Sequence, residues 1–144
     1  MQLDTAKKRP VRAAASTEPK CVLILEDDEE LKSIVQEYLE ANGYSVAAVT
    51  NGVAGLREVL ARNFDAIICD MLMPSLPGDM FYMAVERTRP HLCPRFIFVT
   101  GQQNNAKVIE FIRRIRGTML PKPFRMDDLL EQIYGVQLKI SEAA

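Results

Sequence analysis

The chain has 144 residues, 48% of them hydrophobic and 26% charged, enough apolar mass for one globular domain with a buried core. Its formal net charge of −1 excludes whole-chain attraction to nucleic acid or to an anionic membrane. No apolar run approaches the ~20 residues of a membrane span, and no apolar signal region opens the chain, so we expect a cytoplasmic protein without membrane contact.

Residues 1–19 (MQLDTAKKRPVRAAASTEP) lack apolar periodicity and are rich in Ala, Pro and basic residues, the composition of a flexible basic tail or linker. A folded domain is expected over residues 20–138, with a C-terminal tail over 139–144. Within it, strands are predicted at 21–25 (CVLIL), 44–49 (YSVAAV), 65–69 (DAIIC), 95–99 (RFIFV) and 117–120 (GTML). Each is a short, continuous apolar run of the kind buried on both faces of a sheet. Between the first two, Leu31, Ile34, Val35, Tyr38 and Leu39 form one helical stripe, and Asn42-Gly43 ends it with residues that tolerate a left-handed cap. Val53, Leu56 and Leu60 mark a second helix and residues 78–87 a third. Val108, Ile109, Phe111, Ile112 and Ile115 mark a fourth, and Leu129, Leu130 and Ile133 a fifth. His91 falls in a predicted loop, RPHLCPR. Cys21, Cys69 and Cys93 are odd in number and lack CxxC spacing, which fits reduced structural thiols.

Five strands alternating with five helices make an α/β fold: a doubly wound parallel sheet with helices on both faces. Ligands of such sheets bind beyond the carboxyl ends of the strands, so the residues just after each strand carry the chemistry. Strand one runs into Glu26-Asp27-Asp28, strand three into Asp70, strand four into Thr100 and strand five into Pro121-Lys122-Pro123, whereas strand two ends in Thr50-Asn51-Gly52 without an ionisable group. Clustered buried carboxylates are costly unless a cation joins them, and oxygen ligands favour Mg²⁺, with Mn²⁺ as the alternative. Asp28, Glu29 and Glu30 fall in the first turn of helix one, where acids suit the positive end of the helix dipole. That leaves Glu26 and Asp27 for the site.

The acidic pair, the segment DMLMPSLPG, the VTG after strand four and the PKPF after strand five occur in that order over residues 20–138. Together they resemble a response-regulator receiver domain, the phosphoacceptor module of two-component signalling. The resemblance implies a flavodoxin-like (βα)5 fold with sheet order 2-1-3-4-5. It makes Asp70 the phosphoacceptor and Thr100 and Lys122 the donors to phosphoryl oxygens. It gives the metal to Glu26, Asp27, Asp70 and the main-chain carbonyl of Leu72. It also implies a cis Lys122-Pro123 bond, with Pro121 tolerated because strand five is an edge strand. The phosphate donor would be a histidine kinase or histidine phosphotransfer protein, and the domain would catalyse its own phosphorylation and dephosphorylation.

Two departures stand out. Glu26 replaces the aspartate that many receivers carry, and Met119 stands where most have an aromatic switch residue. Arg113, Arg114 and Arg116 lie near a face that relatives use for partners, so a solvated basic face and a docking or homodimer surface are both open. No output domain is expected after residue 138, which suits a stand-alone regulator or a receiver attached to the kinase core of a hybrid histidine kinase. Two rival functions are an aspartate-nucleophile phosphatase and a degenerate, unphosphorylated interaction module. Glu26-Asp27-Asp28 fails the DxD pattern of the first, and the intact set of five side chains speaks against the second.

Overall fold

The alternation of short apolar runs with amphipathic segments becomes a regular succession of strands and helices in the computed structural model, which describes residues 20–143. The elements are β1 (Cys21–Leu25), α1 (Glu29–Ala41), β2 (Ser45–Val49), α2 (Gly52–Ala61), β3 (Ala66–Asp70), α3 (Gly78–Thr88), β4 (Phe96–Thr100), α4 (Ala106–Ile115), β5 (Thr118–Pro121) and α5 (Met126–Ala143). All strand pairs are parallel, and the spatial order is β2-β1-β3-β4-β5, the expected 2-1-3-4-5. The tail expected over residues 1–19 lies outside the described residues. None of the described helices is long and apolar enough to cross a membrane.

Successive strand side chains point to opposite faces, so the three central strands feed two cores. Leu23, Leu25, Ile67, Cys69, Phe96 and Phe98 pack with Val59 of α2, Phe81 and Val85 of α3 and Phe111 of α4. Val22, Ile24, Ala66, Ile68, Ile97 and Val99 pack with Val35 and Leu39 of α1 and Leu129, Leu130 and Ile133 of α5. This double use explains why β1, β3 and β4 are apolar at consecutive positions. β2 and β5 are the edges, and Pro121 sits in β5 opposite Thr100.

The elements differ from expectation where neighbours compete for the chain. β2, β3, β4 and β5 each start one residue late. The amide of Tyr44 bonds the Leu39 carbonyl at 3.0 Å and that of Gly117 bonds Ile112 at 2.9 Å, while Arg95 closes a 3-10 helix at Pro90–Arg95. That helix replaces the loop expected around His91, held by the fully buried Leu92. Ile34 leaves the α1 stripe and is 47% exposed. On α2 the expected stripe is rotated: Val53 and Leu60 are exposed, and Gly52, Gly55 and Val59 face inward. Glycine there lets the helix axis approach β1, since a Cβ on Gly55 would collide with the Leu25 side chain. α5 continues to Ala143, through most of the stretch assigned to a tail.

Gly78 begins α3 directly over the end of β3. A Cβ there would lie 2.6 Å from the Asp70 carbonyl oxygen and 2.9 Å from Met71 Cα, both backbone atoms that yield little. Gly78→Ala is therefore expected to cost ~1–3 kcal/mol in urea denaturation and to shift the amide resonances of Asp70 and Met71. An unchanged midpoint would contradict this packing.

Candidate functional site

The carboxyl ends of four strands build one rim. β1 is prolonged past Leu25 by a bond from the Glu26 amide to Val49 O at 3.0 Å, and the chain then turns outward because Asp28 caps α1. Its Oδ1 accepts from the amides of Glu30 and Leu31 at 3.1 Å each, satisfying donors that a helix start leaves open. Glu26 is thereby held buried at 4% exposure, while Asp27 stands exposed at the mouth. The Asp28 amide also donates to Glu26 Oε2 at 3.1 Å, so Asp28 serves the site through its main chain.

Asp70 ends β3 opposite Val99 and is also 4% exposed. The Leu72 amide donates to its Oδ1 at 3.1 Å, and the Gly78 amide bonds Met71 O at 3.0 Å, closing the 71–78 loop. Ser75 at the loop's tip takes φ +71°, left-handed backbone that is uncommon for a side-chain-bearing residue. On the far side, the Lys122 amide donates to Thr100 O at 2.7 Å, and Lys122-Pro123 is cis. The Lys122 side chain lies back over the rim. Its Nζ lies 2.9 Å from Glu26 Oε1 and 3.0 Å from Asp70 Oδ2. Thr100 is fully buried, and its Oγ1 accepts from the Gln102 amide at 2.9 Å. That contact occupies a lone pair and leaves the hydroxyl proton available for donation.

Burial is the largest influence on Glu26. It pushes the carboxyl from 4.5 up to about 7 against the Lys122 hydrogen bond, with help from the neighbouring Asp70 charge. Burial alone would lower Lys122, but its hydrogen bonds and attraction to both carboxylates outweigh that and raise it. Lys122 therefore stays an ammonium, and Glu26 is the group that takes up a proton near neutrality. Burial, reinforced by Asp70, also drives the adjacent Cys69 thiol well up, making it an inert filler.

Carboxylate oxygens of Glu26, Asp27 and Asp70 all lie within 4.8 Å of one another. Three carboxylates against one ammonium leave uncompensated negative charge, and the donors are all hard oxygens. These residues fit a small divalent cation of the Mg²⁺ type. The sequence-derived residues thus meet: Glu26, Asp27 and Asp70 as a cluster, Lys122 bridging two of them, Leu72 touching Asp70 through its amide. Thr100 sits one residue past Asp70's register partner. What sequence reasoning missed is Lys122's grip on Glu26 as well as Asp70, and the close approach that demands Gly78. Met119 lies half-buried beside the aromatic core, opposite Phe98 in register. Phe98 itself packs edge-on against Phe111.

The family profile described as "Response regulator receiver domain" matches residues 22–134. The transcriptional regulatory protein RprY of Bacteroides fragilis is 29% identical over 119 residues, covering 83% of this chain and 50% of RprY. The sensor kinase CckA of Brucella abortus is 28% identical over 127 residues, covering 86% of this chain and 13% of CckA. The chain thus spans half or less of the length of these relatives. Among solved structures, a CheY-like receiver domain protein of Methanospirillum hungatei superposes with a TM-score of 0.81 at 23% identity, covering 88% of this chain and 100% of that one. TrrA of Thermotoga maritima, solved in complex with Mg²⁺-BeF, gives a TM-score of 0.71 at 20% identity, covering 81% and 98%. At these identities the structures attest the fold.

A carboxyl raised on folding binds its proton more tightly in the folded state. Its stabilising contribution is full below about 4.5 and is lost as pH rises through about 7. In EDTA, urea denaturation of the metal-free protein should show stability falling across this window. Glu26→Gln should flatten the decline, and an equally steep slope in the variant would refute the assignment.

Proposed function

The chain belongs to the response regulator receiver domain family of two-component signalling, and from that membership we propose that Asp70 accepts a phosphoryl group from a phosphohistidine of a histidine kinase or phosphotransfer protein. The observation that carries the assignment is the meeting of Glu26, Asp27, Asp70 and Lys122 at one rim. In the transfer, an Asp70 carboxylate oxygen forms a bond to phosphorus as the phosphorus–nitrogen bond of the donor breaks. The bonding pair returns to the imidazole nitrogen, and the product is an acyl phosphate.

Asp70 is positioned for this by the Leu72 amide on Oδ1 and the Lys122 ammonium on Oδ2. Lys122 would pass from its carboxylate partners to an oxygen of the incoming group as a point charge, and Thr100 would donate its hydroxyl proton to another. Glu26, Asp27, Asp70 and the Leu72 carbonyl would hold Mg²⁺, with Mn²⁺ as the alternative ion; the Mg²⁺-BeF complex of TrrA supports this choice. The ion supplies neutralisation of charge spread over the phosphoryl oxygens, which is most of what such transfers need. The same groups support hydrolysis of the acyl phosphate by water, which would end the signal.

Incubation with a small-molecule phosphodonor and Mg²⁺, read by intact mass, should add one phosphoryl group. The adduct should be absent in EDTA, cleaved by hydroxylamine and missing in Asp70→Asn. Persistent labelling in that variant would remove the nucleophile assignment. Thr100→Ala should still label, more slowly by about 10²-fold, with an unchanged endpoint after long incubation.

A further inference from the structure

The opposite end of the sheet carries a second concavity that phosphotransfer does not use. A cleft of about 440 Å³ opens between the 3-10 helix, the start of β4, the turn from α4 into β5 and the end of α5. It lies one strand length, roughly 13 Å along β4, from the acidic rim. Its size falls in the range of small-molecule sites, which pair apolar walls with a few placed polar groups.

Its lining is one-sided in charge. Arg95, Arg116, Lys139 and His91 all contribute, and among the described residues no carboxylate lines it. Like charges brought to one concavity repel unless an anion joins them. Arg116 and Lys139 make no ion pair or hydrogen bond through their side chains among the described residues. Arg95 is anchored on one side only: its Nη1 donates to Phe64 O at 3.2 Å and lies 3.9 Å from Asp65 Oδ1. Its Nε is buried without an acceptor among the described residues, a donor whose desolvation stays uncompensated. Acids beside the lining residues are Asp65, which Arg95 already engages, Glu86, which is exposed on α3 and acts on Tyr82 and Cys93, and Glu142, which is exposed on α5 three residues after Lys139. The carbonyl end of α4 adds partial negative charge, well short of the formal charge of three cations. The walls are apolar: Phe96 is buried at 3% exposure, and Ile115 and Ile140 are half-buried.

We propose that this cleft binds a small organic anion, one with an oxyanion head for Arg95, Arg116 and Lys139 and an aromatic or branched apolar body against Phe96, Ile115 and Ile140. The head meets the exposed Arg116 and Lys139, which have no side-chain partner among the described residues, and the Arg95 guanidinium beside them. The body covers the half-buried Ile115 and Ile140, which solvent touches. A diffuse basic surface would take any polyanion weakly, whereas this site discriminates by head and body together.

The test is an amide-shift titration of the full chain in EDTA at about 0.15 M salt, where exposed charges are largely screened. Phenylphosphonate, which has no transferable phosphoryl group, is the probe. Inorganic phosphate supplies the head alone and benzyl alcohol the body alone. Phenylphosphonate should give saturable shifts at Phe96, Gly117 and Thr118, with weaker binding of phosphate and none of benzyl alcohol. Arg116→Gln together with Lys139→Gln, both exposed and without a side-chain partner among the described residues, should weaken it by about tenfold or more without moving the unfolding midpoint. Asp70→Asn should leave it unchanged. Equal binding of phosphate and phenylphosphonate would overturn the proposal in favour of a solvated basic face. So would shifts centred on Asp70 and Thr100, or no saturation at all.

Discussion

An ammonium held between two buried carboxylates organises this molecule. Lys122 reaches Glu26 from β1 and Asp70 from β3 at about hydrogen-bonding distance. Each of those acids is nearly closed to solvent. Removing the cation would leave buried negative charges facing each other, a far larger penalty than a surface pair ever carries. The parallel sheet makes the arrangement attainable, because it alone brings the carboxyl ends of β1, β3, β4 and β5 to one edge from residues remote in the chain. The register does the fine placement: the Lys122 amide on Thr100 and the Met71 amide on Val99 set where each side chain leaves the backbone.

The site is also frustrated as it stands. One ammonium cannot neutralise Glu26, Asp27 and Asp70, and burial above all, with the Asp70 charge adding to it, leaves a Glu26 carboxyl that prefers its proton up to about 7. A hard cation relieves that conflict and displaces the proton in doing so. Glu26 Oε1 meets the Lys122 ammonium at 2.9 Å.

Much of this was legible in the sequence for a physical reason. Strands buried on both faces must be apolar throughout, so CVLIL, AIIC and FIFV declare themselves, and the polar residues that interrupt them mark the rim. Asp70, Thr100, Glu26, Asp27 and Lys122 were found that way. Less visible were features set by close approach between elements. The inward face of α2 is built on Gly52 and Gly55, which carry no hydrophobic signal, so Val53 and Leu60 were misplaced on the core side. The 3-10 helix at Pro90–Arg95 has neither the length nor the period of a helix in sequence. Its burial rests on Leu92 alone among its six residues. The far-end cleft was illegible too, since Arg95, Arg116 and Lys139 converge only through the fold.

The segregation of ionisable groups has one more effect. Glu26, Asp27, Asp70, Asp127 and Asp128 cluster toward one end of the strands, and Arg95, Arg116 and Lys139 toward the other. Lys122 and Asp65 offset part of this separation, and the local charge that remains favours approach of a cationic surface to the acid end. Orientation before contact is thus built into the scaffold, and added electrolyte would blunt it without altering a single contact in the final complex.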